Sequence, residues 1–295
     1  MSVERLENLS CWRGTVSLTP ITGGITNRNY LVRDLDQWYV ARICENKRVL
    51  GIDRVNEVAC QRAAAEAGIA PPIVHHEPGI LVSQFVQGKT LDPASVRETD
   101  MLKRIAATLQ RLHGARDALT GELLYFSPFQ TIRTYVASAR RLGAPLPEDI
   151  DELVQDSVDW SRRMRPFQPT LCHNDLLAAN LLADVSQLWL VDWEYAGMGH
   201  PLFDLASVAG NCQLSPGEEE FLLRAYQGFV DPIDQAEVRI LKTASLLREA
   251  LWGAIQIVFS DLAFDYAKYA SDYFAEYRKA RIELEKTATS ARGAD

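Results

Sequence analysis

The chain has 295 residues, 47% hydrophobic and 24% charged, with a net charge of −8. This is the composition of a globular protein large enough for two lobes, and it excludes a disordered or fibrous chain. The acidic balance argues against a nucleic-acid partner, whose phosphates are held by clustered Lys and Arg, but it leaves room for a nucleotide held by one local cation.

The most apolar stretch, residues 250–264, is interrupted by Gln256, Ser260 and Asp261 and flanked by Arg248 and Glu249. It falls short of the roughly twenty apolar residues of a membrane span and reads as a buried helix. No basic segment followed by an apolar run opens the sequence, so no signal peptide is expected. The five cysteines, Cys11, Cys44, Cys60, Cys172 and Cys212, form no Cys-x-x-Cys pair and suit reduced core thiols in a cytoplasmic protein.

In chain order, residues 16–18, 29–32, 38–43 and 80–85 are short runs rich in β-branched and aromatic residues and predict strands, with a hairpin turn from Asp34 to Gln37. A helix is predicted from Asp53 to Ala67, with Asp53 as N-cap and Gly68 just past its end. From Asp100 to His113, residues Leu102, Ile105, Ala106, Leu109 and Leu112 keep the spacing of one buried helical face. The rest reads as mostly helical, and Ser215-Pro-Gly-Glu218 fits a capping box with Gly228 near the far end. Residues 171–191 break that pattern: a loop precedes two short apolar runs, 180–183 and 188–191, joined by a turn. The fold class is therefore α+β and bilobal. A small antiparallel sheet lobe with one helix covers residues 1–87, and a larger, mainly helical lobe covers residues 88–295. The cleft between them, near Gln84–Gly88, is the expected site.

The strongest chemical signal is His173-Asn-Asp175 followed by Asn180, with Asp192 at the end of the next short strand. Phosphoryl transfer needs a group beside the attacking hydroxyl, oxygen ligands for magnesium, and positive charge for the phosphates. Asp175 has the position of the base, and Asn180 and Asp192 offer hard oxygen ligands for Mg²⁺. Asp and Asn also cap turns, but the loop, the spacing and the strand-terminal Asp together point to catalysis. His173 reads as a prop for the loop. In the first lobe, Thr22-Gly-Gly24-Ile-Thr26-Asn27 lies between two strands, where glycines allow close approach to phosphates. Arg42 ends a strand and Glu57 sits on the next helix, the places where kinases keep a phosphate-contacting cation and its carboxylate partner. Gly88-Lys-Thr90 is not a Walker loop, because Ser83 stands where that motif needs glycine.

Taken together these residues resemble the choline/ethanolamine kinase family, relatives of the aminoglycoside phosphotransferases, from about Leu18 to Arg281. The likeness is carried by Gly-Gly-Ile-Thr-Asn27, Val40-Ala-Arg42, Asp53-Arg-Val-Asn-Glu57, the strand from Gly79 to Phe85, His173-Asn-Asp175-x₄-Asn180, Asp192-Trp-Glu-Tyr195 and Phe203-Asp204. It implies a protein-kinase-like fold, with ATP and Mg²⁺ as cofactors and a small alcohol, choline first, as acceptor. The implied nucleotide contacts are Gly24, Thr26, Asn27, Arg42, Glu57, Gln84, Phe85 and Val86. The implied acceptor pocket is an aromatic cage with nearby acid, formed by Asp175, Glu194, Tyr195, Glu249, Trp252, Phe264 and Tyr269. Such a cage is suited to a quaternary ammonium, which cannot hydrogen-bond. The alternatives are the same chemistry on ethanolamine, thiamine or an aminoglycoside, and a nucleotide-binding module without catalysis. The last would have lost Asp175, Asn180 or Asp192, and all three are present.

Overall fold

The computed structural model describes residues 3–21, 27–115 and 121–292, the last six by backbone alone. After a short helix α1 (Val3–Glu7) come β1 (Ser17–Ile21), β2 (Arg28–Asp34) and β3 (Gln37–Ile43), then helix α2 (Arg54–Glu66), then β4 (Ile73–Glu77) and β5 (Ile80–Gln84). The five strands form one antiparallel sheet in the order β1-β2-β3-β5-β4. The β2–β3 hairpin closes where the sequence predicts it, pairing Asp34 with Gln37 through Leu35 at φ 53°. Strand β4, Ile-Val-His-His-Glu, has no apolar alternation to announce it; its pairing with β5 makes it a strand.

Val32, Ala41, Ile80 and Val82 turn to one sheet face and pack on Leu6 and Leu9. On the other face Leu81 meets Val58 of α2. The Asp53 carboxylate caps α2 by accepting from the N–H groups of Val55 and Asn56, both at 2.9 Å. The rest of the buried side of α2, Cys60, Ala63 and Ala64, joins the core of the helical part. Helix α2 thus ties the two parts together.

The chain then enters the helical part through β6 (Lys89–Thr90), α3 (Pro93–Val96), α4 (Thr99–Gly114), α5 (Pro128–Leu142) and α6 (Ile150–Ser161). Four short strands follow, β7 (Thr170–Cys172), β8 (Leu181–Ala183), β9 (Leu188–Leu190) and β10 (Gly197–Gly199). β7 pairs with β10, and β6, β8 and β9 form a three-stranded ribbon. The closing helices are α7 (Pro201–Asn211), α8 (Pro216–Gln227), α9 (Pro232–Phe259) and α10 (Tyr266–Arg292). The capping box of Ser215 and Glu218 is formed, and Gly228 ends α8 at φ 86°.

Helix α9 runs through the middle, packed by α5, α7 and α10. From Thr243 to Gln256 it is buried on every side, because it has neighbours on several sides. It corrects one expectation: Arg248 and Glu249 do not flank a buried helix but lie inside one, buried, and the helix stops at Phe259, before Phe264. Among the described residues no helix is long and apolar enough to cross a membrane.

Candidate active site

The loop after β7 is held from beneath by Asp204, near the start of α7. Its carboxylate accepts the backbone N–H groups of His173 (2.9 Å) and Asn174 (2.7 Å) and is 3.0 Å from His113 Nε2. The other His113 nitrogen lies 2.7 Å from the Tyr226 hydroxyl. Cys172 lies beside His113 and Asp204, but with His113 and Asp204 already engaged the cluster acts as a brace. His173 donates from Nε2 to the Val191 carbonyl at 2.9 Å, and its ring lies 4.8 Å from that of Trp193. Burial keeps it neutral by lowering its pKa. It is the prop that its position in the sequence suggests.

This bracing presents Asp175. Asp175 as a residue is 7% exposed, and its carboxylate accepts from Arg248 Nη2 at 2.5 Å. Burial, above all, pushes the Asp175 pKa up to about 8; the negative charges of Glu249 and Asp192 add to that, and Arg248 opposes it. The Asn180 amide nitrogen donates to the Asp175 carbonyl at 2.8 Å, which orients the amide oxygen as the side chain's accepting atom. Asp192 follows β9 in the left-handed region, φ 65°.

On the sheet side, Arg42 of β3 is paired with Glu57 and donates to Asp192 at 2.5 Å. Arg54, at the first turn of α2, donates to Glu57 (2.7 Å), to Glu194 (2.9 Å) and to the Asn27 side-chain oxygen (2.9 Å). Asn27 in turn donates to Glu194 at 2.9 Å. The network crosses from the sheet to the segment after β9, so the two parts meet at buried charges that neutralise one another. Gln84 and Phe85 are exposed at the end of β5, and Val86 is half-buried. Gly24 and Thr26 lie outside the described residues.

A second group gathers on α9 and α10. Trp252 meets Tyr269 edge-on at 5.4 Å and Tyr266 at 5.9 Å, while Phe264 lies 4.9 Å from Tyr266 and 6.0 Å from Tyr269. The Tyr269 hydroxyl donates to Glu249 at 2.9 Å. Gly253 permits this crossing, since a Cβ there would come within 2.9 Å of the Tyr269 ring. Arg248 joins the two groups: it is paired with both Asp175 and Glu249, and its guanidinium lies 5.0 Å from the Tyr195 ring centre and 5.9 Å from that of Phe126.

The structure therefore brings Asp175, Glu249, Trp252 and Tyr269 into one chain of contacts. It places Glu194 away from them, with Arg54, and turns the Tyr195 ring to Arg248. Phe264 is 41% exposed at the rim. Sequence reasoning passed over Arg54 and Arg248. The signal for Arg54 was its i,i+3 spacing from Glu57; for Arg248 it was a charge pair between the apolar runs of one long helix.

A braced loop holding a carboxylate, two further oxygen donors and a strand arginine, between a small sheet and a helical part, defines a phosphotransferase of the protein-kinase-like fold with an alcohol as acceptor. The chain belongs to the phosphotransferase enzyme family, whose family model matches residues 17–241. It is similar to Protein LicA of Haemophilus influenzae, 28% identical over 278 residues, which cover 89% of this chain and 78% of that protein. It is also 28% identical to human Ethanolamine kinase 1 over 311 residues, covering 91% and 68% of the two chains. A crystal structure described as a choline/ethanolamine kinase family protein from Mesorhizobium loti superposes with a TM-score of 0.76 at 28% identity, covering 94% of this chain and 92% of that one.

Proposed function

We propose that the chain transfers the γ-phosphate of ATP to the hydroxyl of choline, with ethanolamine as the second reading. The observation that carries it is the cluster of Trp252, Tyr266, Tyr269 and Phe264, which the Tyr269 hydroxyl links to the buried Glu249 carboxylate, itself joined through Arg248 to Asp175. Aromatic faces beside a carboxylate attract an ammonium group. The likeness to human Ethanolamine kinase 1 favours ethanolamine, whose primary ammonium Glu249 also suits.

In this reading Asp175 keeps one oxygen on Arg248 and offers the other to the acceptor hydroxyl. It takes the proton as that oxygen bonds to the γ-phosphorus and ADP leaves. Arg42 holds positive charge on the sheet side of the phosphates. The Asn180 amide oxygen and the Asp192 carboxylate are hard donors of the kind Mg²⁺ prefers, and they would hold the ion. Bound there, the ion would neutralise charge on the phosphate oxygens. Residues 1–87 serve as the nucleotide lobe, including Gln84, Phe85 and Val86, and residues 88–295 as the acceptor lobe. The five free thiols suit a reducing, cytoplasmic setting.

Arg42→Lys is expected to weaken ATP binding about tenfold, because a point charge cannot replace a two-pronged fork. Calorimetric titration with ATP checks this, and an unchanged dissociation constant would place Arg42 outside the nucleotide site.

The reading itself is tested by ADP release with choline, ethanolamine, thiamine and an aminoglycoside as acceptors. Choline is expected to give the highest kcat/KM, and turnover of only the aminoglycoside would reject an amino-alcohol kinase. Trp252→Leu keeps apolar bulk but removes a cation–π contact worth about 2 kcal/mol, so the KM for choline should rise tenfold or more, by about 1.4 kcal/mol per decade. The KM for ATP should stay put. A lowered melting temperature with an unaltered choline KM would make Trp252 a packing residue only.

A further inference from the structure

We propose that one face of α5 and the turn Arg48–Leu50 form a second binding site, for a small molecule carrying two or more phosphate or carboxylate groups. The site shares no residue with the candidate active site, and the proposal does not depend on which alcohol is phosphorylated.

The turn lies between β3 and α2, and its Leu50 carbonyl accepts from the Tyr135 hydroxyl of α5 at 2.9 Å. The same turn and α5 line an open groove of about 540 Å³, within the usual range of small-molecule sites. Arg48 lines it from the turn, and Arg133 and Arg141 line it from the helix with Gln130, Thr134 and Ser138. Residues 130, 134, 138 and 141 are spaced by three or four, which sets them along one helical face.

The charge of this groove is out of keeping with the chain, whose net charge is −8. Among the described residues none of the three arginines is paired with a carboxylate, whereas the adjacent Arg140 is paired with Asp151. Two of the three take neutral partners instead. Arg133 donates to the Gln130 side-chain oxygen at 2.7 Å, and Arg141 to the Ser138 hydroxyl at 3.4 Å. Such contacts orient a guanidinium without cancelling its charge. Like charges gathered around one groove repel each other, and an anion placed among them relieves the repulsion. The planar fork of arginine matches the paired oxygens of phosphate and carboxylate.

The spacing suits more than one anionic group. Arg133 and Arg141 are eight residues apart, roughly 12 Å along the helix at 1.5 Å per residue. Side chains anchored at that distance, with Arg48 facing them, are better served by two groups on one molecule than by a single ion. A long polyanion is disfavoured, because an acidic surface repels it wherever it leaves the groove.

The test is calorimetric titration of the full chain with ADP saturating, so that the nucleotide site is filled. The probes are pyrophosphate, fructose 1,6-bisphosphate and citrate, with inorganic phosphate and acetate as single-group controls. At least one probe is expected to bind saturably, about tenfold or more tighter than either control. Which probe binds best tells whether phosphate or carboxylate is read. Joint replacement Arg133→Gln and Arg141→Gln should weaken that binding about tenfold or more, and so should Arg48→Gln. Arg140→Gln removes the same charge from the same helix and should leave the affinity unchanged. Circular dichroism checks that each variant is folded. No saturable binding of any probe below about 10 mM would overturn the proposal, as would controls that bind equally well. Unchanged affinity in either groove variant would overturn it too. An equal loss in Arg140→Gln would mean that net charge, not a built site, attracts the anion. Binding of a DNA duplex with none of the small probes would replace the small-molecule site by a nucleic-acid surface.

Discussion

Asp175→Asn is expected to lower kcat by about 10²–10⁴-fold, the usual contribution of a positioned acid–base group. Asparagine keeps the shape and retains an oxygen for Arg248, but it cannot take a proton from the acceptor. ADP release measured beside circular dichroism separates lost chemistry from lost structure, and a folded variant with near-normal turnover would remove Asp175 from the base position. The wild type should also show a pH signature. The folded carboxyl, raised to about 8 mainly by burial, is protonated below that pH and basic above it. The groups facing it are Arg248, Glu249 and Asp192. So kcat/KM should rise as pH increases through about 8, and that rise should be missing from Asp175→Asn.

Asp204→Ala is expected to destabilise the protein by about 3–5 kcal/mol, because it strands several buried groups at about 1–3 kcal/mol each. The N–H groups of His173 and Asn174 lose their acceptor and His113 loses its partner. Against a total stability of about 5–15 kcal/mol this is a large fraction. Urea unfolding at constant m value reads the loss. Activity should fall beyond the folded fraction, since the loop carrying Asp175 is no longer held. A change below 1 kcal/mol would mean that the loop is fixed by other contacts, and the brace assigned to Asp204 would be wrong.

Much of the fold was legible locally. The hairpin at residues 34–37, the α2 cap at Asp53 and the capping box at Ser215 depend on groups within a few residues of one another. Short-range geometry leaves a mark in the order of residue types. The loop of the candidate site was legible for a related reason: Asp175 and Asn180 are set by one turn, and Asp192 follows a hairpin later. The pairing of Arg42 with Glu57 was likewise expected from a strand and the helix after it, and the structure contains it.

What the sequence could not reveal were partners separated by long stretches of chain. Asp175 and Arg248 are 73 residues apart, and nothing local in the apolar run around Ala250 says that its flanking arginine turns inward. Arg54 meets Glu194 across 140 residues, which draws Glu194 away from the aromatic group. Strand β4 has little pattern of its own and exists because β5 supplies its hydrogen bonds. The spacing of residues along the chain was thus enough to determine the elements, the loop and the chemical types present. Which charges are neutralised by which was decided only when folding buried them together, because a charge withdrawn from water takes the partner that the packing brings within reach.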